Sequence, residues 1–407
     1  MALIKNIALM GTSTAMRLGC GLLSFVVMAR LLGPDQFGLL MLCFSAAGLL
    51  ALLSNYGFAP YLLREIGAKP DAAVTLMSEV LTAKIILSLA VSIIGVGSIL
   101  LLNPTTYLVF LLLLAAQIAD SLTELFNIGY RATNRYGAET QLASMAAVIQ
   151  LCLVVVACVW LATPIAAAMA FLISRLIVLG ITWRSQLNYY SQLKIASWRL
   201  GWLQIKRTHT FASDFALQSL FGQIDSIVLN HFLGPASVGI YQAGMRIFLS
   251  GTQAANVLSS VFIPHIASTS TKQAARLEYG KLILSFNAIG ACGCLGFYIL
   301  KLISAENIFG AEFSELNDIF PYFGLLFLAR FMAASIGCIL TINGSQAIRA
   351  TCTGLQLCLL ALLVLLNGIT SIKDWIVLLI ITNFTLAGLY AIAPTICKSY
   401  KIKKGII

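Results

Sequence analysis

Five basic side chains lie inside stretches that are otherwise apolar: Arg17, Lys84, Arg175, Arg246 and Arg330. Four acids share that setting, Asp120, Glu124, Asp214 and Asp225. A central Arg, Lys or Asp costs about 2.5 to 3.5 kcal/mol to place in a bilayer. If all five cations faced lipid at the midplane, the sum would be roughly 12 to 18 kcal/mol, more than the net stability of a typical domain. They must face a wet cavity, pair with acids, or reach the headgroups with their long stems. A cavity with more Arg and Lys than acid suits a phosphorylated ligand, because Arg grips phosphate through two donors at once.

Spacing sorts these residues onto faces. At 100° per residue, Asp214, Gln218 and Asp225 fall within about 40° of one another if they share one helix. Gln242, Arg246, Ser250 and Gln253 form a second stripe, and Ser13, Arg17, Gly21 and Ser24 a third. The expected ligand-binding set is therefore Arg17, Arg246, Lys84, Arg175, Arg330, Gln242 and Gln253. The expected proton or cation sites are Asp214, Asp225, Asp120 and Glu124. Plainer readings stand beside these. Lys84 and Arg175 are close enough to span ends to snorkel. Asp120 and Glu124, one turn apart, read as a structural ion pair with Arg330 as partner. Gly19, Gly21 and Ser24 read as a close-packing stripe.

The elements that carry these residues are set by composition. The chain has 407 residues, 59% hydrophobic and only 10% charged, with a mean hydropathy of +0.93. Soluble domains average about 25% charged residues, so the solvent here is lipid. Reading apolar runs between breakers predicts twelve spans, near 7–32, 37–62, 75–102, 106–128, 141–162, 164–183, 209–233, 238–263, 280–302, 317–342, 348–370 and 374–397. The first run is too long for a cleaved leader and contains Arg17, so it reads as a retained span.

The formal net charge is +11. With the N-terminus inside, most basic residues fall in cytoplasmic segments, notably Arg184, Lys194, Arg199, Lys206 and Arg207, and the tail Lys398, Lys401, Lys403 and Lys404. Outside loops hold only Arg30, Lys301 and Lys373. This bias predicts both termini in the cytoplasm and removes the need for a nucleic-acid partner. The cysteines sit almost wholly in apolar runs and the three histidines form no metal-spacing pair, so no metal and no cofactor is expected. No phosphate-binding GxxxxGK[ST] loop occurs.

Leu32-Gly33-Pro34 with Gly38 returns half a chain later as Leu233-Gly234-Pro235 with Gly239. Each copy sits between two long apolar runs, where Gly-Pro ends one helix and starts the next. The even number of spans in each half makes the repeat parallel. The expected architecture is an all-α integral membrane protein of about twelve transmembrane helices. Two six-helix bundles, 1–183 and 208–397, would be joined by a cytoplasmic linker, 184–207, and followed by a basic tail, 398–407. A central cavity lined by spans one, two, seven and eight would wet the polar stripes.

The opening residues carry a family resemblance. Ala29-Arg30-Leu31-Leu32-Gly33-Pro34, then Phe37-Gly38, then Tyr56-Gly57-Phe58 ahead of Arg64-Glu65, resemble the start of the polysaccharide transporter family, the Wzx-type O-antigen flippases. These belong to the superfamily of multidrug and oligosaccharidyl-lipid exporters. The resemblance assigns Arg30, Gly33, Pro34, Gly38, Gly234, Pro235 and Gly239 a structural role. It implies a flippase of the bacterial inner membrane, not an enzyme, moving an undecaprenyl-diphosphate-linked oligosaccharide to the periplasmic leaflet by alternating access. Membrane lipid, a coupling H+ or Na+, and the polymerase and chain-length regulator of lipopolysaccharide assembly are the partners it suggests. A drug or metabolite antiporter of the same architecture is the alternative. A membrane-embedded glycan polymerase fits less well, because the longest outside loop is too short for an active site.

Overall fold

The computed structural model describes residues 2–68, 70–98, 103–132, 135–187, 193–220, 222–267, 272–343 and 345–403. Fourteen helices follow in order: α1 (Ala2–Asn55), α2 (Phe58–Ala68), α3 (Ala73–Gly97), α4 (Pro104–Ala132), α5 (Tyr136–Leu161), α6 (Pro164–Leu187), α7 (Trp198–Leu220), α8 (Ile224–Leu233), α9 (Pro235–Ala267), α10 (Lys272–Ile303), α11 (Ala305–Phe309), α12 (Leu316–Ile342), α13 (Gln346–Asn367) and α14 (Ile372–Lys403). An unbroken helix satisfies its own backbone, which lipid cannot do. Among the described residues, nine helical stretches are long and apolar enough to cross a membrane. One of them, Met16–Ile66, runs 51 residues. At 1.5 Å per residue that is about 75 Å, over twice a bilayer core of about 30 Å.

That long stretch bends where the first motif lies. Gly33 has φ 71° and ψ 170°, a left-handed value that a side chain resists. Pro34 then restarts the helix, its missing N–H costing nothing in a first turn. Gly234 repeats the conformation, φ 82° and ψ 177°, and Pro235 opens α9. The duplication seen in the residues is thus a duplication of backbone geometry.

One expected span is not a single helix. Residues 209–233 divide into α7 and α8, with Gly222 and Gln223 in a turn between them. Gly222 has low helix propensity, and Gln223, at φ −120°, leaves the helical range. The count of twelve regular spans is therefore not reproduced.

Contacts divide the chain into two compact units, Met1–Gly239 and Ile240–Ile407. In the first, α1 packs along α5 and α4, α4 along α6, and α7 along α3. Residues 193–197 are fastened to α3 before α7 begins: Ala196 N–H donates to Thr82 Oγ1 at 2.8 Å, and Lys194 N–H donates to Ser78 Oγ at 3.4 Å. Gly201 then sits on Thr82 and Ala83, where a Cβ would come within 2.9 Å.

A seam of small residues joins the second leg of α1 to α7, α8 and the start of α9. A Cβ at Gly38 would lie 1.8 Å from Pro235 O, and one at Gly239 would lie 2.1 Å from Pro34 O. The two motif copies therefore clasp each other backbone to backbone. Further along, Ser45 donates to Ser226 Oγ at 3.0 Å. Gly48 receives the Gln223 side chain, and Gly57 lies against the Phe211 carbonyl.

The second unit uses a different device. Phe323, Phe327 and Phe331 of α12 fit against glycines of α9 and α10. A Cβ at Gly244 or Gly293 would fall within 2.4 Å of a phenylalanine ring atom, and Gly251 and Gly290 are nearly as close. Phe248 and Phe297 close the cluster at ring distances of 5.6 to 6.2 Å.

The seam yields a direct test. Gly38→Ala and Gly239→Ala each force backbone apart and should destabilise by about 1 to 3 kcal/mol, as overpacking does. Gly19→Ala meets no heavy atom within 4 Å and should leave stability level or slightly raised. Thermal melts in detergent check the order.

Candidate functional site

The charged residues of the first unit separate into two kinds. Lys84 on α3 is 2% exposed, so it does not snorkel. Its ammonium donates to Ser121 O at 2.7 Å, to Ser121 Oγ at 2.5 Å and to Asn55 Oδ1 at 3.5 Å. It thereby ties α1, α3 and α4 together. Ser54, Ser88 and Ser121 extend this buried polar cluster, with Ser54 and Ser88 at 2.7 Å. A buried charge without such donors and acceptors would cost several kcal/mol. In this conformation Lys84 braces three helices instead of meeting a ligand.

Arg175 on α6 pairs with Asp120 on α4 at 2.9 Å. Glu124 pairs with Arg131 at 2.9 Å, and Arg131 reaches on to Glu139 of α5 at 2.7 Å. Two expectations change here. Asp120 finds Arg175 where the spacing had suggested Arg330, and Arg175 is bound to an acid instead of reaching for headgroups. Charge order along the two helices explains it, since α4 and α6 are packed neighbours.

Arg17 on the first leg of α1 is exposed. Gly19 and Gly21 beside it face open space, so this is not a close-packing stripe. Ser24, at the same stripe's end, is buried and donates to Cys20 O within its own helix at 2.8 Å. Asp225 is 5% exposed in the first turn of α8, where the helix dipole favours a negative charge. The side chains of Asp214 and Gln218 lie outside the described residues. The shared face proposed for Asp214 and Asp225 fails in any case, because the turn at Gly222-Gln223 breaks the helix between them.

In the second unit the polar stripe of α9 holds together, since the helix is continuous through Pro235–Ala267. Tyr241, Gly244, Phe248 and Gly251 form the face packed on α12. Gln242, Arg246, Ser250 and Gln253 lie roughly opposite, by the 100° rule. Gln242 is buried and Arg246 half-buried. Ser250 donates to the backbone carbonyl of Arg246 at 2.8 Å. Arg330 is exposed on α12.

Sequence reasoning missed three things. Arg131 was placed with the loop cations, yet it is the hinge of an acid–base triad. The serines around Lys84 were invisible one at a time, because single serines in an apolar run carry no pattern. Gly38, Ser45 and Gly48 had a signal that went unread: small residues seven and three apart fall on one helix face.

The α4–α6 pair can be measured. A double-mutant cycle on Asp120→Asn and Arg175→Gln should give a coupling of about 0.5 to 3 kcal/mol in unfolding stability. A coupling of zero would mean that the pair does not form in the membrane.

Comparison with known proteins places this arrangement. The polysaccharide biosynthesis protein family matches residues 3–270. No curated protein matches the chain in sequence. Among solved structures, an inward-facing multidrug resistance MATE family transporter of the MOP superfamily shares the fold with a TM-score of 0.74 at 14% identity, covering 96% of this chain and 99% of that one. The lipid II flippase MurJ, in an inward closed conformation, gives 0.76 at 12% identity, covering 95% and 87%. A MOP superfamily transporter from Pyrococcus furiosus gives 0.66 at 14% identity, covering 97% and 96%. At such identities the likeness is one of fold: the helices are arranged as in MOP transporters. With well over half of its length matched, this multi-pass membrane chain belongs to the polysaccharide biosynthesis protein family.

Proposed function

We propose that the chain is a flippase. It carries an undecaprenyl-diphosphate-linked oligosaccharide, an O-antigen or related repeat unit, from the cytoplasmic to the periplasmic leaflet of the bacterial inner membrane by alternating access. The observation that carries this reading is the family match over residues 3–270 on a transporter fold. The likeness to a lipid II flippase supports it, and so does the charge of the intramembrane residues. A glycan and a diphosphate cannot cross hydrocarbon unaided, since each unsatisfied polar group costs several kcal/mol.

Within the first unit, two of the candidate cations are already held by protein oxygens. Lys84 is engaged by Ser121 and Arg175 by Asp120. Arg17, exposed on α1, and Arg246, on the polar face of α9 with Gln242 and Gln253, are the proposed phosphate and sugar contacts. Arg330 is a secondary candidate. Without a nucleotide-binding loop, energy comes from an ion gradient or from product removal, and Asp214 and Asp225 are the proposed coupling acids. MATE neighbours share the fold, which keeps a drug or metabolite antiporter as the second reading. The family match to polysaccharide biosynthesis weighs against it.

Deleting the gene should make lipid-linked repeat units accumulate on the inner leaflet, read by glycolipid analysis. An unchanged surface glycan would reject the flippase. Arg17→Ala and Arg246→Ala should each lower export about 10- to 100-fold, the value of one or two charge-assisted hydrogen bonds. Lys at either position should retain part of the activity. Full export by both Ala variants would remove these residues from the site.

A further inference from the structure

The first unit carries an apolar trough of about 400 Å³ that the proposed transport site does not use. Its walls come from α3, from Leu122 and Phe126 of α4, from Leu176, Gly180 and Trp183 of α6, and from Ile195 just ahead of α7. On α4, Leu122 and Phe126 fall roughly opposite Asp120 and Glu124 by the 100° rule. The trough and the charged cluster thus occupy different faces of the same helix.

Three features bear on what would fit the trough. Basic residues adjoin its lining in sequence: Arg184 follows Trp183, Lys194 precedes Ile195, and both are exposed. Trp183 stands edge-on to Phe126, with ring centroids 5.1 Å apart, and a half-exposed Trp next to Arg is the composition of a membrane–water boundary. Gly180 leaves the mouth open, for a Cβ there would meet no heavy atom within 4 Å. An apolar trough with basic residues adjoining it at that boundary fits an anionic lipid, chain below and phosphate above.

The dimensions favour a branched chain. The α6 part of its lining, Leu176 to Trp183, covers about 10 Å at 1.5 Å per residue, and three helices share the space of about 400 Å³. A straight acyl chain fills such a space poorly, whereas methyl branches fill it well. Lipid tails are as apolar as the walls, so burial alone gives no drive. Shape and the phosphate contacts set the preference.

Building on the flippase reading above, we propose that this trough binds the diphosphate-proximal isoprene units of the polyprenyl-linked substrate, with Arg184 and Lys194 on the diphosphate. The tail is thereby registered against the first unit before its head group moves.

The test uses the full chain in nanodiscs and a polyprenyl diphosphate bearing a photoreactive diazirine on its first isoprene units. Labelling should map to the peptide containing Leu176–Trp183. Gly180→Trp, which plugs the mouth, should cut it about tenfold. The surface variant Arg184→Gln/Lys194→Gln should do the same and guards against misfolding of the plugged protein. Unlabelled polyprenyl diphosphate should compete, and phosphatidylglycerol should not. Equal competition by phosphatidylglycerol would make the trough an ordinary lipid contact and overturn the proposal. Labelling confined to other helices would overturn it while leaving the flippase reading intact. That reading stands or falls on the deletion phenotype, which is scored separately in cells.

Discussion

At Gly38 and Gly239 two helices touch through their backbones, and a single added carbon on either would strike a carbonyl of the other motif copy. This contact ranks first because each motif copy contributes both surfaces. Gly33 and Gly234 supply the left-handed break, Pro34 and Pro235 supply the carbonyl that is met, and Gly38 and Gly239 supply the gap that meets it. A side chain at either notch removes both halves of the reciprocal contact. Membranes give helices no hydrophobic reason to associate, so close approach of small residues does that work. The seam continues through Ser45, Gly48 and Gly57, which makes it an extended joint.

Charge inside the bilayer is the second constraint, and the structure divides it. Lys84, Arg175 and Arg131 are committed to oxygens of the first unit: serines for the buried ammonium, carboxylates for the two guanidinium groups. These interactions fasten α1, α3, α4, α5 and α6 to one another. Arg17 lies instead beside glycines that meet open space, and Arg246 lies on the face of α9 opposite the phenylalanine contacts of α12, with the buried Gln242. The same residue type thus sits in two different settings according to the face it occupies.

Much of this was legible beforehand. The motif at Leu32-Gly33-Pro34 announced its break because Gly and Pro have few other uses between apolar runs. Gln242, Arg246, Ser250 and Gln253 do share a face because α9 is unbroken. The stripe through Asp214 and Asp225 was wrong because helical arithmetic cannot see a turn at Gly222-Gln223, where hydrophobicity barely changes. Ion-pair partners were misjudged for a related reason. Asp120 had several cations to choose from, and only the packing of α4 on α6 decides for Arg175. The trough beside Trp183 left no periodic trace, since it is a space between three helices and a connecting segment.

The central claim is that the two motif copies meet along a glycine-lined seam within the first unit, and that the proposed export requires this seam to part at one end. Ser45 and Ser226 mark it, with hydroxyls 3.0 Å apart, close enough for a disulfide once both are changed to cysteine. In a background lacking the native cysteines, the Ser45→Cys/Ser226→Cys protein should cross-link rapidly with oxidant in intact membranes. Surface-glycan export should then stop, and return with reductant. A pair that never links, or a linked protein that exports at the full rate, would contradict the account.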